Sequence, residues 1–139
     1  MLVVAIMAIL TAIAGPSYRS VIERQKIGQA TTHLMKMSML ISRARNGEGL
    51  LPVSLAGLPG IPAADPWGNP YRYLRLAPLD PASRNDVRKD HNLHPINSDF
   101  DLYSTGPDGD TRAPLTASAS RDDIIFARDG NFVGTAADF

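Results

Sequence analysis

The sequence predicts an α+β chain: one long N-terminal helix laid on a small antiparallel sheet, with extended loops in the C-terminal part. Three observations carry this. Apolar residues recur with helical spacing as far as Ala44. Prolines at 52, 59, 62, 66, 70, 78 and 81 then forbid any long helix. Beyond them, short apolar or alternating segments separated by turn residues read as strands.

The chain has 139 residues, one domain's worth. Its 14 Lys+Arg balance 14 Asp+Glu, which argues against a mainly electrostatic nucleic-acid binder. No cysteine is present. Disulfides, zinc-thiolate sites, iron–sulfur clusters and cysteine nucleophiles are therefore excluded. With 11 Gly, 11 Pro and only 6% aromatic residues, the chain is loop-rich.

No charged side chain precedes Arg19, and Leu2 to Ala14 is apolar except for Thr11. The run alone is shorter than the roughly 20 apolar residues a transmembrane helix needs. Ala12-Ile13-Ala14 resembles a signal-peptide cleavage site, yet nothing basic precedes the run. A core helix should show a polar face, and this segment has none. The reading that fits best is the remnant of a longer N-terminal membrane helix.

Gly15-Pro16 should bend this helix without ending it. Downstream, Ile27, Ala30, Leu34, Met37, Ile41 and Ala44 recur at spacings of 3, 4, 3, 4 and 3, one apolar stripe that reads as core. Arg24, Gln25, Thr32, Lys36 and Arg43 fall on the other faces. Asn46-Gly47 is the expected stop. The chain thus divides into a hydrophobic membrane or filament segment (1–18), its amphipathic continuation (19–46) and a loop-rich globular β domain (47–139).

Tyr71 to Leu76 alternates in the period-2 sense and is the first expected strand. Phe100 to Tyr103 and Ile124 to Ala127 are the second and third. Asn131 to Val133 should pair with the third across Asp129-Gly130. The polar segment from Asp80 to Asp99 reads as an exposed loop. Trp67, flanked by Pro and Gly, reads as a plug over the helix–sheet core, its indole N–H reaching a carbonyl.

Candidate chemistry is sparse. No Ser sits in a G-x-S-x-G elbow, and phosphate-cradling and dinucleotide fingerprints are missing. His91-x-x-His94 has a metal-site spacing but reads as two solvated histidines in a polar loop. Asp108, Asp110, Ser120, Asp122 and Asp123 gather in a short Gly/Pro/Ser-rich stretch. Calcium takes about six to eight hard oxygens, and such a stretch offers them. It is not an EF-hand, since the D-x-D-x-D-G spacing and terminal Glu are lacking. The alternative is an ordinary turn at Asp108-Gly109 and a solvated face at Asp122-Asp123.

These residues also carry a family resemblance. VVAIMAILTAIAGPSY is similar to the N-terminal segment of type IV pilins and type II secretion pseudopilins. Asp65-Pro66-Trp67-Gly68-Asn69-Pro70-Tyr71 resembles the D-P-W-G-x-P-Y signature of the major pseudopilins. Ser104-Thr105-Gly106-Pro107-Asp108-Gly109, followed by Asp122-Asp123-Ile124, resembles that family's calcium loop. The three occur in the family's order and span most of the chain.

The resemblance implies a type IV pilin-like fold and a structural subunit, not an enzyme. It implies Ca2+ held by the carboxylates of Asp108, Asp122 and Asp123, by Ser120 and by the backbone carbonyl of Thr105. It further implies a single-pass protein of the bacterial inner membrane, attached through the N-terminal helix, with its globular domain in the periplasm. Copies would self-associate into a helical filament by burying Leu2 to Ala14. Other pseudopilins and inner-membrane secretion components would be partners, nucleic acid would not, and the role would be protein export across the outer membrane. The alternatives are a type IV pilus subunit serving adhesion, motility or DNA uptake, and a soluble periplasmic binding module with a cleaved signal peptide. Two departures stand out. The family's F-T-L-x-E start and basic leader are not in this sequence, so its intramembrane glutamate would fall upstream of Met1. The segment from Asp80 to Asp99 is also longer than usual for a major pseudopilin.

Overall fold

The computed structural model describes residues 2–45 and 49–139; within residues 2–17 only the side chains of Val3 and Met7 are described. Helix α1 spans Leu2–Arg43, 42 residues, or about 60 Å of helix. It runs unbroken through Gly15-Pro16. Its last turn closes through the Ala44 N–H, which is shared between the carbonyls of Leu40 and Ile41. The expected stop at Asn46-Gly47 lies outside the described residues. Hydroxyls along the helix bond back to its own carbonyls, as Thr31 does to Ile27 and Thr32 to Gly28.

The expected stripe is the buried face. Ala30, Leu34, Met37 and Ile41 are fully buried, with Ile27 packed beside them. They meet a four-stranded antiparallel meander: β1 (Arg72–Arg75), β2 (Phe100–Ser104), β3 (Ile124–Ala127) and β4 (Phe132–Thr135). Helix α1 lies across β2, β3 and β4. Strand alternation directs Phe100, Leu102, Ile124 and Phe126 towards it, and the rings of Phe100 and Phe126 stack 5.4 Å apart.

The other face of the sheet is also covered. Ile125 and Ala127 pack with Ile96, Leu115 and Ala136, flanked by Tyr103, Phe132 and Phe139. Strand β3 is therefore buried on both faces, which explains its unbroken apolar run. Its pairing with β4 places Phe126 opposite Val133, across a turn that includes Asp129 and Gly130.

Three expectations need correcting. The segment from Asp80 to Asp99 is not simply an exposed loop, because it buries Val87, Arg88, Ile96 and Asn97 under the C-terminal chain. The Trp67 indole N–H donates not to a carbonyl but to the Glu23 carboxylate, at 3.0 Å. Finally, among the described residues no helix is long and apolar enough to cross a membrane. Leu2 to Ala14 covers only about 20 Å of helix against a hydrocarbon layer of roughly 30 Å, and Arg19, Glu23 and Arg24 follow on the same helix. The expected single-pass inner-membrane placement with a periplasmic domain is overturned by that finding.

Leu34 and Met39 separate the two sides of α1. Leu34→Ala should cost about 2–5 kcal/mol of unfolding free energy in a denaturant titration. Met39→Ala, at an exposed position, should change it by less than about 0.5 kcal/mol.

Candidate functional site

Two features stand out: the turn-and-loop system carrying the motif residues, and the outer face of α1. The D-P-W-G turn is built on Asp65, which is buried. Its Oδ1 accepts from the backbone N–H groups of Trp67 and Asn69, at 3.0 and 2.8 Å, and its Oδ2 from the Ser104 hydroxyl, at 2.5 Å. Gly68 supplies the positive φ of the reversal. Trp67 then reaches α1 through Glu23, with Lys26 Nζ 6.0 Å from its ring. One acidic residue thus ties the turn to β2, and one tryptophan ties it to the helix.

The loop between β2 and β3 begins with a close approach. A Cβ at Gly106, where φ is +64°, would collide with the Asp122 backbone, so only glycine fits. Asp122 Oδ2 accepts from the Asp108 backbone N–H at 3.2 Å. Asp108 Oδ1 accepts from the Asp110 N–H, and Asp110 Oδ1 from the Thr111 N–H. The Ser120 hydroxyl is engaged by both backbone groups of Arg112, each at 2.8 Å. Asp123 is fully buried, and its Oδ2 accepts from Arg88 Nη2 at 2.5 Å and from the Thr111 hydroxyl at 2.6 Å.

These contacts test the expected calcium shell. The fold brings Gly106, Asp108 and Asp122 together, and Thr111 links Ser120 with Asp123. Thr105 is buried. The donors, however, face protein partners: Asp108 its own loop, Ser120 the backbone of Arg112, and Asp123 a guanidinium. Among the described residues no three His, Asp or Glu side chains are placed to hold a metal. As arranged, the five residues do not fit calcium.

The cation beside Asp123 is Arg88, whose side chain is 1% exposed. Sequence reasoning passed over it, because it sits in a polar segment and its partners lie 23 to 35 residues away. The adjacent Val87 is the one local sign that this stretch turns inward. His91 and His94 are exposed, and His91 Nδ1 lies 2.9 Å from the Asp90 carboxylate.

Burial raises the carboxyl of Asp123 to about 6, while the Thr111 hydroxyl and Arg88 oppose the shift. Burial likewise raises Asp101, opposed by the Arg88 N–H and Asn97. Asp123 Oδ2 and Arg88 Nη2 lie 2.5 Å apart as a buried salt bridge.

The outer face of α1 is the second feature. Val3, Met7, Tyr18, Val21, Met35 and Met39 are all exposed, from 46% at Met35 to 69% at Tyr18. At about 100° per residue they fall within an arc of about 100°, diametrically opposite the buried stripe. Among the described side chains, α1 thus exposes apolar residues on the side away from its core, interspersed with Gln25, Thr32, Lys36 and Arg43. A groove of about 580 Å³ continues the outer face onto the sheet, where Phe126 and Val133 line it with Met35 and Met39.

Comparison with known proteins found no family model, no curated protein and no solved structure that matches the chain.

The raised Asp123 carboxyl has a pH signature. Between its ordinary value of 3.8 and about 6, the folded chain holds a proton there that the unfolded chain has released. This group's contribution to stability is therefore greatest at low pH and is lost as the pH rises towards about 6. Asp123→Asn should remove that component of the slope, read from urea unfolding at about pH 4 and about pH 7. An unchanged slope would contradict the assignment.

Proposed function

We propose that the chain is a structural subunit of a type II secretion pseudopilus, not an enzyme, with a type IV pilin-like build. On this reading copies assemble through α1 into a filament that supports protein export across the outer membrane. Other pseudopilins and components of the secretion machinery are the further partners. The observation that carries it is the set of exposed apolar side chains on the outer side of α1, Tyr18, Val21, Met35 and Met39 among them. Burying such side chains yields about 25 cal/mol per Å² of apolar surface.

The geometry suits an open assembly. Among the described side chains, the core contacts of α1 begin at Ile27, and the helix continues for 25 residues before it, from Leu2. A contact between that extension and the outer face of a second copy joins different surfaces on the two partners. Heterologous contacts that do not close generate helical filaments. The motif turn also supports the reading: Asp65 and Trp67 brace the helix against the β domain, so both travel as one unit.

Sedimentation of the full chain over a concentration series tests this. Wild type should form large assemblies, visible as filaments by negative-stain electron microscopy. Val21→Glu with Met39→Glu should weaken association at least about tenfold while leaving the thermal midpoint nearly unchanged. A monomer at every concentration, or assemblies indifferent to these substitutions, would overturn the proposal.

A further inference from the structure

An open sheet has two edges, and the two edges of this one are built differently. At the end of β4 the Ala136 N–H donates to the Asp123 carbonyl at 2.8 Å, so by alternation along the ladder Gly134 and Phe132 also bond to β3. Val133 and Thr135 then turn their N–H and C=O groups outward, where no further strand pairs with them among the described residues. By the same alternation, the bond from the Leu76 N–H to the Asp99 carbonyl leaves the Tyr73 and Arg75 backbone outward on β1. That edge is guarded, since it carries Arg72 and Arg75 and is bracketed by Pro70 and Pro78. Phe132-Val133-Gly134-Thr135 has no charge, no proline and no bulge.

The β4 edge is also self-complementary. When a second β4 runs antiparallel to it with the two Gly134 residues opposite, each outward Val133 exchanges both backbone hydrogen bonds with an outward Thr135. Backbones in such a central pair come to about 4.5 Å, a close approach that a residue without a side chain suits. The contact uses the same surface on both partners, as a two-fold pair requires. It keeps both α1 helices on one side of the doubled sheet. There Val133 lines the groove with Met35 and Met39, so exposed apolar residues of the helix border the seam. We propose that the β4 edge is a docking surface for the β4 edge of a second copy, which pairs antiparallel across Gly134 and continues the sheet. The pairing goes beyond the filament reading and stands without it, because the α1 backbone takes no part.

The chain lacks cysteine, so one placed at Gly134 can form a disulfide only with another copy. In the full chain under mild oxidant, Gly134→Cys should link into pairs readily, whereas Thr116→Cys, at an exposed loop position, should not. Adding Thr135→Pro should slow the linking at least about tenfold, because it removes one outward N–H from each copy. The thermal midpoint should hold, since Thr135 already has a φ of −67° and its N–H bonds to no strand within one copy. Hydrogen exchange of the unsubstituted chain gives a second readout. The Val133 and Thr135 amides should gain protection as concentration rises, while those of Phe132 and Gly134 are protected throughout. Gly134→Cys linking no faster than Thr116→Cys, or indifferent to Thr135→Pro, would overturn the proposal. So would protection of Val133 and Thr135 that does not depend on concentration.

Discussion

The seam between α1 and the sheet is the contact on which the rest of the molecule depends. Ala30, Leu34, Met37 and Ile41 lie on one line of a helix, and Phe100, Leu102, Ile124 and Phe126 lie on one face of two strands. Neither set is buried without the other. At about 1.5–3 kcal/mol per fully buried large apolar side chain, this seam outweighs any single polar contact in the structure. It also fixes which side of the helix looks outward. Once the inner stripe is docked, Val21, Met35 and Met39 have no place to go but solvent or another chain.

The second layer is held differently. Behind the sheet, Ile125, Leu115 and Ala136 form only a small apolar cluster, and polar side chains join it. Burying an ion pair costs several kcal/mol per ion, recovered only when hydrogen bonding around the pair is nearly complete. Arg88 meets this in part: its two Nη atoms make three hydrogen bonds, to Asp123, Thr111 and Arg112. Its Nε and Asp123 Oδ1 are the buried atoms left over. Nε shares a guanidinium edge with Nη2, and Oδ1 shares a carboxylate with Oδ2. One arm of a side-on fork is thus made and the other stands open.

Much of this was legible in the sequence because the signals are local. The spacing from Ile27 to Ile41 announced the buried face, and the run Ile124 to Ala127 coincides with β3. The Asp65-Pro66-Trp67-Gly68 turn is local only in part: Asp65 Oδ1 caps it from within, while Oδ2 is held by Ser104, 39 residues away. What escaped was set by contacts far along the chain. Nothing near Trp67 names Glu23 as its acceptor, 44 residues away. Nothing near Arg88 shows that it is buried. The carboxylates of the C-terminal loop cluster in sequence as a metal site would, yet Asp108 and Asp110 cap N–H groups of their own turn, and tertiary packing turns Asp122 towards the Asp108 N–H and Asp123 towards Arg88. The exposed apolar residues of α1 were hidden by their surroundings: Gln25, Gly28, Thr32, Lys36 and Arg43 are interspersed with them, and only the docked inner face shows that they share a side.

The central claim is that α1 has one face for its own sheet and another for a second copy. Hydrogen exchange along the helix, followed as protein concentration rises, tests it most directly. Amides from Ile27 to Arg43 should be protected at every concentration, because the sheet covers that half. Amides from Leu2 to Arg24 should exchange readily in dilute protein and gain protection as the chain assembles. Exchange in that first half that does not change with concentration would contradict the account.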